Sequence, residues 1–479
     1  LETMRALGLD QAIAQHVRVR ERQSGYPEVE KIEALVLLLA AGGTCVDDIR
    51  VLQADGGRRR LLGRRLPSAD RLRHFLSACH DDALIAQAQA RRPPARVAYI
   101  PAENAALQGL ARVNTALLNR VAAQGRSTTA TLDHDATLQE SHQREARPHY
   151  QGGRGYQPTA VVWVEQDLVV ADEYRDGNVG AGMETLPLIQ RAFASLPPTV
   201  TTYAFRADTA CYDERTLKWL ADPARPGGPR GPIGFTVGAD MSEDLRAVCA
   251  AVPEARWGLF EDRPDETVHC TEVEFTPGDW SKRAQPLRYV ALRIQTKQGQ
   301  LCASGAETKS LAIVSNRWDV PTPDLLRWHW RKPASSSGET AGTIELGHDI
   351  TKNELGAAVP PCGRFGANAA WYRLSLLTYN VLSALKSLAL PPALSAARPK
   401  RLRFAVFTLA GRLVSHAGRL RVRVSAAAER LAGLIAARVR LALIAQALPA
   451  GYPPLIQVLS PVRTCHERSR PPPVLWRVV

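Results

Sequence analysis

Two aspartates, Asp133 and Asp135, stand two residues apart in the segment Thr131 to Thr137. In an extended strand that spacing sets both carboxylates on one face of a sheet and Leu132, His134 and Ala136 on the other. Aspartate is a poor strand former, and two on one face of a central strand are costly unless a cation sits there. A metal ion is the economical expectation. A further aspartate, Asp208, ends the run Tyr203 to Ala207, at the carboxyl end of a strand, where α/β sheets present functional groups. Glu345 and Lys352 are seven residues apart, close to two helical turns, so carboxylate and ammonium share a helix face with His348 and Asp349 near the same line. The acid can ligate metal and the lysine can hold a phosphate. Taken singly, each acid also has a structural reading, as a strand end, a turn cap or a charge on a surface helix. Together they point to metal-assisted phosphodiester chemistry.

The elements that must position these residues follow from periodicity. Residues 1 to 125 read as helical, with an apolar run at Ile32 to Leu39 and a helix start at Pro67 to Asp70 where Ser68 can cap. Strands follow at Thr128 to Leu138, Thr159 to Glu165 and Leu168 to Tyr174, the last two joined by a Gln166-Asp167 turn. A helix at Met183 to Ala194, a strand at Val200 to Asp208 and a helix at Asp213 to Ala221 complete the opening of a layered α/β fold. Residues 223 to 308 read as a mainly β insertion, with strands at Thr267 to Phe275 and Pro286 to Thr296. The core is expected to resume with a strand at Leu311 to Ser315 and helices at Pro323 to Trp330, Thr343 to Leu355 and Ala369 to Leu388. Helices then continue through the basic carboxyl-terminal region to a disordered Arg470-Pro471-Pro472-Pro473 tail.

Charge is concentrated. The 479 residues carry 61 Lys+Arg against 47 Asp+Glu, a net +14, with 45% hydrophobic residues, enough for a large core and too many for disorder. Between Arg398 and Arg440 lie eleven cations and one acid, Glu429, and a second cluster runs through Arg58-Arg59-Arg60, Arg64-Arg65, Arg71 and Arg73. Dense arginine with almost no acid selects a polyphosphate partner. The bland alternative is a solvated helix face or contact with an anionic membrane surface. No apolar run is long enough to span a bilayer. Eight scattered cysteines without CxxC, and no signal-peptide pattern, fit a reducing cytoplasm, while His269-Cys270 and Cys465-His466 lack zinc-ligand spacing. The first Met is at position 4, so the natural start is expected to be either missing or unconventional.

The segments 132–159, 203–220 and 342–387, followed by 397–420, resemble DDE-type transposases of bacterial insertion sequences. More narrowly, they are similar to the cut-and-paste group whose third motif is Tyr-x2-Arg-x3-Glu-x6-Lys. The resemblance covers nearly the whole chain and its matches come in order. It implies a ribonuclease H-like core, a mixed five-stranded sheet with flanking helices, interrupted by the β insertion. The expected divisions are 1–125 for DNA-end binding, 126–222 and 309–390 for the catalytic core, 223–308 for the insertion, and 391–479 for a basic helical region with its tail.

By the same resemblance, Asp135 matches the first acid through Asp135-Ala136-Thr137, with Asp133 the alternative; Asp208 matches the second, Glu345 the third and Lys352 the motif lysine. The motif Arg and Tyr fall on Ala341 and Gly338. The implied reaction uses two divalent ions, Mg2+ with Mn2+ substituting. Asp135 bridges both ions, and Asp208 and Glu345 complete one each. A strand is hydrolysed at an element end, and the freed 3′-hydroxyl then attacks target DNA. Expected partners are double-stranded DNA, as terminal inverted repeats and target, and a second copy on paired ends. Lys352, Arg401, Arg403, Arg412, Arg419, Arg421 and Arg423 are the expected phosphate contacts, and the expected location is the nucleoid of a bacterial cytoplasm. Two rivals stay open: a transposase-derived, sequence-specific DNA-binding protein without catalysis, and a nuclease of the same fold without strand transfer.

Overall fold

In the computed structural model the described residues are 1–479 apart from 20–24, 126, 279, 281–285, 298–307, 331–343, 417–418, 425–426, 447–457, 460–476 and 479. Gly338, Ala341, Cys465-His466 and the proline tail therefore lie outside them.

The amino-terminal region is helical as expected: α1 (Glu2–Ala6), α2 (Leu9–His16), α3 (Glu28–Ala41), α4 (Ile49–Ala54), α5 (Gly56–Leu62), α6 (Ala69–Ser77), α7 (Asp82–Arg91) and α8 (Ala105–Gln124). Short polar side chains start these helices by accepting orphan backbone N–H groups. Ser68 caps α6 through the Arg71 N–H, Asp81 caps α7, and Asn104 caps α8.

A nine-stranded sheet follows. Its first five strands are β1 (Thr129–Ala136), β2 (Thr159–Trp163), β3 (Leu168–Glu173), β4 (Thr202–Ala207) and β5 (Ile233–Ala239). They lie in the order β3-β2-β1-β4-β5, with β1, β2 and β3 antiparallel and β1, β4 and β5 parallel. That order and polarity is the ribonuclease H-like core. Helices α9 (Thr185–Ala194) and α10 (Glu214–Ala221) supply the crossovers that parallel neighbours require. The β2–β3 connection turns on Asp167, whose φ of 53° is the left-handed region that Asp tolerates better than most residues. Its carboxylate is held by Tyr379, Ser383 and Lys386.

Four more strands extend the sheet beyond β5 in antiparallel fashion: β6 (Gly258–Asp262), β7 (Glu266–Val273), β8 (Arg288–Thr296) and β9 (Thr308–Ser315), giving β5-β9-β8-β7-β6. The stretch expected to be a mainly β insertion contributes its strands to the same sheet. Its β5 pairs in parallel with β4 as the fifth core strand. The strand expected to resume the core, β9, pairs with β5 on the extension side.

The remaining helices are α11 (Glu243–Ala250), α12 (Thr322–His329), α13 (Ile344–Glu354), α14 (Phe365–Leu388), α15 (Pro399–Leu402) and α16 (Ala428–Gln446). α14 is apolar around nearly its whole circumference and is buried along almost all of its length, packing against α3, α8 and β3. Asn380 on it satisfies the edge of β3, accepting from the Val169 N–H and donating to the Val169 carbonyl, both at 2.8 Å.

The arginine-rich region departs from the all-helical expectation. Between α15 and α16 it forms an antiparallel hairpin, β10 (Gly411–His416) and β11 (Arg419–Val424). The run Arg419-Leu420-Arg421-Val422-Arg423-Val424 alternates with period two, which is strand patterning.

Candidate active site

β1 and β4 run in parallel register, His134 opposite Ala207, so the next residue in each chain, Asp135 and Asp208, brings a carboxylate to adjacent strand ends. Hydrogen-bonded strands lie about 4.8 Å apart, which makes these two acids close neighbours. Each has one oxygen fixed by backbone: Asp135 accepts from the Ala136 N–H at 2.8 Å, and Asp208 from the Ala210 N–H at 2.9 Å as it caps the turn Thr209–Cys211.

Asp133 shares the face of Asp135, yet the cation beside it is not a metal. It is fully buried and faces its register partner Arg206, which donates to both carboxylate oxygens at 2.7 and 2.9 Å. Arg206 also donates to the Trp328 carbonyl at 2.7 Å and stacks on the Trp328 ring, 5.2 Å from its centroid. The expectation of one ion for both aspartates is corrected on this point, since the guanidinium neutralises Asp133 within the protein.

Helix α13 packs against β1 and carries Glu345, exposed in its first turn. Lys352, two turns on, reaches the segment just past β1, where its ammonium donates to the Leu138 carbonyl at 2.7 Å and the Thr137 hydroxyl at 3.4 Å. On the same helix, Asp349 and Glu354 pair with Arg398 at 2.6 and 2.5 Å, and hydrogen bonding from Arg398 holds the Asp349 carboxyl below the usual range. Among the described residues no three Asp, Glu, His or Cys side chains converge tightly enough to form a metal-ligand group. The structure brings Asp135 and Asp208 together and does not close Glu345 onto them.

Tyr372 of α14 is buried near the site, and burial, with Asp172 and Asp135 adding to it and Arg373 opposing, pushes its hydroxyl well above the ordinary range. Nothing in the apolar pattern of α14 marks it out.

The basic residues divide into two sets. Arg403 turns inward, against the expectation of a phosphate contact: it donates to the carbonyls of Ala40, Leu39 and Glu354. Arg430 and Arg440 likewise bind carbonyls, and Arg438 pairs with Glu2 at 2.8 Å. Arg401, Arg412 and Arg423 are exposed. In the hairpin Arg412 stands directly opposite Arg423, and Val414 opposite Arg421, while Arg419 lies at the register position facing His416. Like charges directly across a strand pair repel, an arrangement that an anionic partner relieves. A Cβ on Gly57 of α5 would sit 3.5 Å from Leu413, so the hairpin lies against the helix bearing Arg58, Arg59 and Arg60. The two clusters, remote in sequence, adjoin in space.

No described helix is long and apolar enough to cross a membrane. A family model described as "Transposase DDE domain group 1" matches residues 1–443. Among solved structures, the cryo-EM structure of the piggyBac transposase synaptic complex with hairpin DNA is similar at 11% identity, covering 80% of this chain and 73% of that one with a TM-score of 0.39. No curated protein matches significantly in sequence.

Proposed function

Because the chain belongs to the DDE transposase family, we propose that it binds the terminal inverted repeats of a bacterial insertion sequence, cleaves phosphodiesters there and transfers the 3′-hydroxyl ends to target DNA. The adjacency of Asp135 and Asp208 at the ends of parallel β1 and β4 carries this reading. The donors suit a hard divalent cation in kind: they are carboxylate oxygens, and a cation relieves the mutual repulsion of two neighbouring acids. Asp135 and Asp208 would hold Mg2+ or Mn2+, and Glu345 would supply the third carboxylate from α13. Bound ions would activate the attacking oxygen and neutralise charge on the phosphorus centre.

The protein's own groups do the rest. Lys352, anchored beside Thr137, offers a phosphate its ammonium at the end of β1. Arg401, Arg412, Arg419, Arg421 and Arg423, with the adjoining α5, form the phosphate-gripping surface, while Arg403 acts as a strut between α3 and α13. The active assembly is a homodimer on paired ends.

The test is Mg2+-dependent nicking and joining of a duplex carrying the element's own end. Wild-type protein is expected to cut and join, and Asp135→Asn, Asp208→Asn and Glu345→Gln to bind without cutting. Gly338 and Ala341 at the motif Tyr and Arg positions favour a second reading, a DNA-binding protein without catalysis, and absence of cutting by the wild type would select it.

A further inference from the structure

On the side of the sheet opposite the two acids, three fully buried side chains meet: His134 on β1, Thr159 on β2 and Cys211 in the turn after Asp208. The His134 Nε2 lies 2.8 Å from the Thr159 hydroxyl, the Thr159 hydroxyl 3.0 Å from the Asp135 carbonyl, and the Cys211 sulfur 3.2 Å from the His134 Nδ1. His134 adjoins Asp135 in sequence, and Cys211 closes the turn that Asp208 caps.

Donor inventory fixes the direction of these bonds. The Asp135 carbonyl can only accept, so the single Thr159 hydroxyl proton goes to it, and the Thr159 oxygen must then accept from the His134 Nε2–H. A neutral imidazole with its proton on Nε2 leaves Nδ1 as an acceptor, facing the Cys211 S–H. The three links run in line from the loop of Asp208 to the backbone of Asp135, and the Cys211 sulfur is also met by the Thr185 hydroxyl. A partly satisfied chain buried at this depth would be costly, so all three links are held or lost together.

We infer that Cys211, His134 and Thr159 form a positioning chain that sets the separation of Asp135 and Asp208, tying the turn behind the second acid to the main chain of the first. None of the three touches substrate. They act through the acids, as the partners behind metal ligands do when they fix ligand orientation. The inference rests on the reading of Asp135 and Asp208 as ligands of divalent ions.

The experiment measures Mn2+ binding to the full-length protein by electron paramagnetic resonance of the free ion, with Mn2+ alone as probe. Thermal melting is recorded for every variant, and Asp135→Asn serves as control. Thr159→Val and Cys211→Ala are expected to raise the Mn2+ dissociation constant at least about tenfold. Thr159→Ser and Cys211→Ser, which keep a donor in place, should stay within about threefold of wild type. The 15N shifts of His134 in the metal-free protein should report the Nε2–H tautomer, a readout that stands even where a variant fails to fold. An Nδ1–H tautomer, or Mn2+ affinity unmoved by Thr159→Val while Asp135→Asn abolishes it, would overturn the chain. Mn2+ binding unmoved by Asp135→Asn would instead overturn the metal reading beneath it.

Discussion

Arg206 stands opposite Asp133 in the register of β4 and β1 and forks onto both of its carboxylate oxygens, at 2.7 and 2.9 Å, with neither side chain open to solvent. Removing one partner strands a buried charge, so Arg206→Met is expected to cost about 3–5 kcal/mol in denaturant unfolding. The double variant with Asp133→Leu should recover much of that loss. A loss in the double variant equal to the sum of the two single losses would show the pair to be uncoupled.

The same pair gives the two aspartates of β1 different expected roles, Asp133 being buried against Arg206. Asp135→Asn is expected to abolish cleavage while leaving end binding and the unfolding midpoint close to wild type. Asp133→Asn should lower the midpoint first, with cleavage falling only as the fold weakens. Gel-shift, cleavage and melting measurements on both variants check this, and the reverse pattern would make Asp133 the functional acid.

Lys352 reaches the stretch just past β1, so its loss should misplace a bound phosphate and leave the carboxylates where they are. Lys352→Ala is expected to slow single-turnover cleavage at least about tenfold, or roughly 1.4 kcal/mol of barrier, with little change in Mn2+ affinity. An unchanged rate would remove it from the site.

Arg412 and Arg423 face each other across the hairpin, and Arg403 faces inward. Replacing Arg412 and Arg423 by Gln should weaken binding of element-end and random duplexes alike, and reduce the slope of log K against log salt by roughly 0.9 per lost phosphate contact. Arg403→Gln should instead lower the melting temperature and leave the salt slope unchanged. A selective loss of end binding in the hairpin variant would mean that it reads bases.

Burial raises the carboxyl of Asp176 to about 6, with Arg147 opposing the shift. A carboxyl raised above its unfolded value binds its proton more tightly when folded. Its contribution therefore falls as pH rises from about 4 to 6 and stays unfavourable above that. Asp176→Asn is expected to raise stability at pH 8 by about 1–3 kcal/mol and to flatten the pH dependence of the unfolding midpoint across that window. A destabilised variant at pH 8 would show that the carboxylate has a native partner.

The legible parts of the molecule were those written in local pattern. The Asp135 and Asp208 strand ends, the Ser68 cap and the helix carrying Glu345 and Lys352 follow from spacing that needs no partner. What spacing could not show was who meets whom. Asp133 and Arg206 are 73 residues apart, so the alternation that put two acids on one face gave no sign that one was already neutralised. The strand at Arg419 to Val424 is written in its period-two alternation, although its dense charge equally suits a solvated helix face. The inward turn of Arg403 depends on carbonyls at the end of a helix more than 360 residues away, for which no local signal exists.

The bond from Arg398 to Asp349 and Glu354, joined by the Lys400 N–H on Glu354, makes the basic arm and the acid-bearing helix one mechanical unit. A load that a bound duplex applied to the arm would therefore also be felt by α13. Under the proposed function, thermodynamic reciprocity would bind the two ends: whatever factor a seated duplex gained for an ion held with Glu345, that ion would return to the duplex. Affinity for DNA measured with and without the divalent ion is thus a gauge of how rigidly this joint transmits.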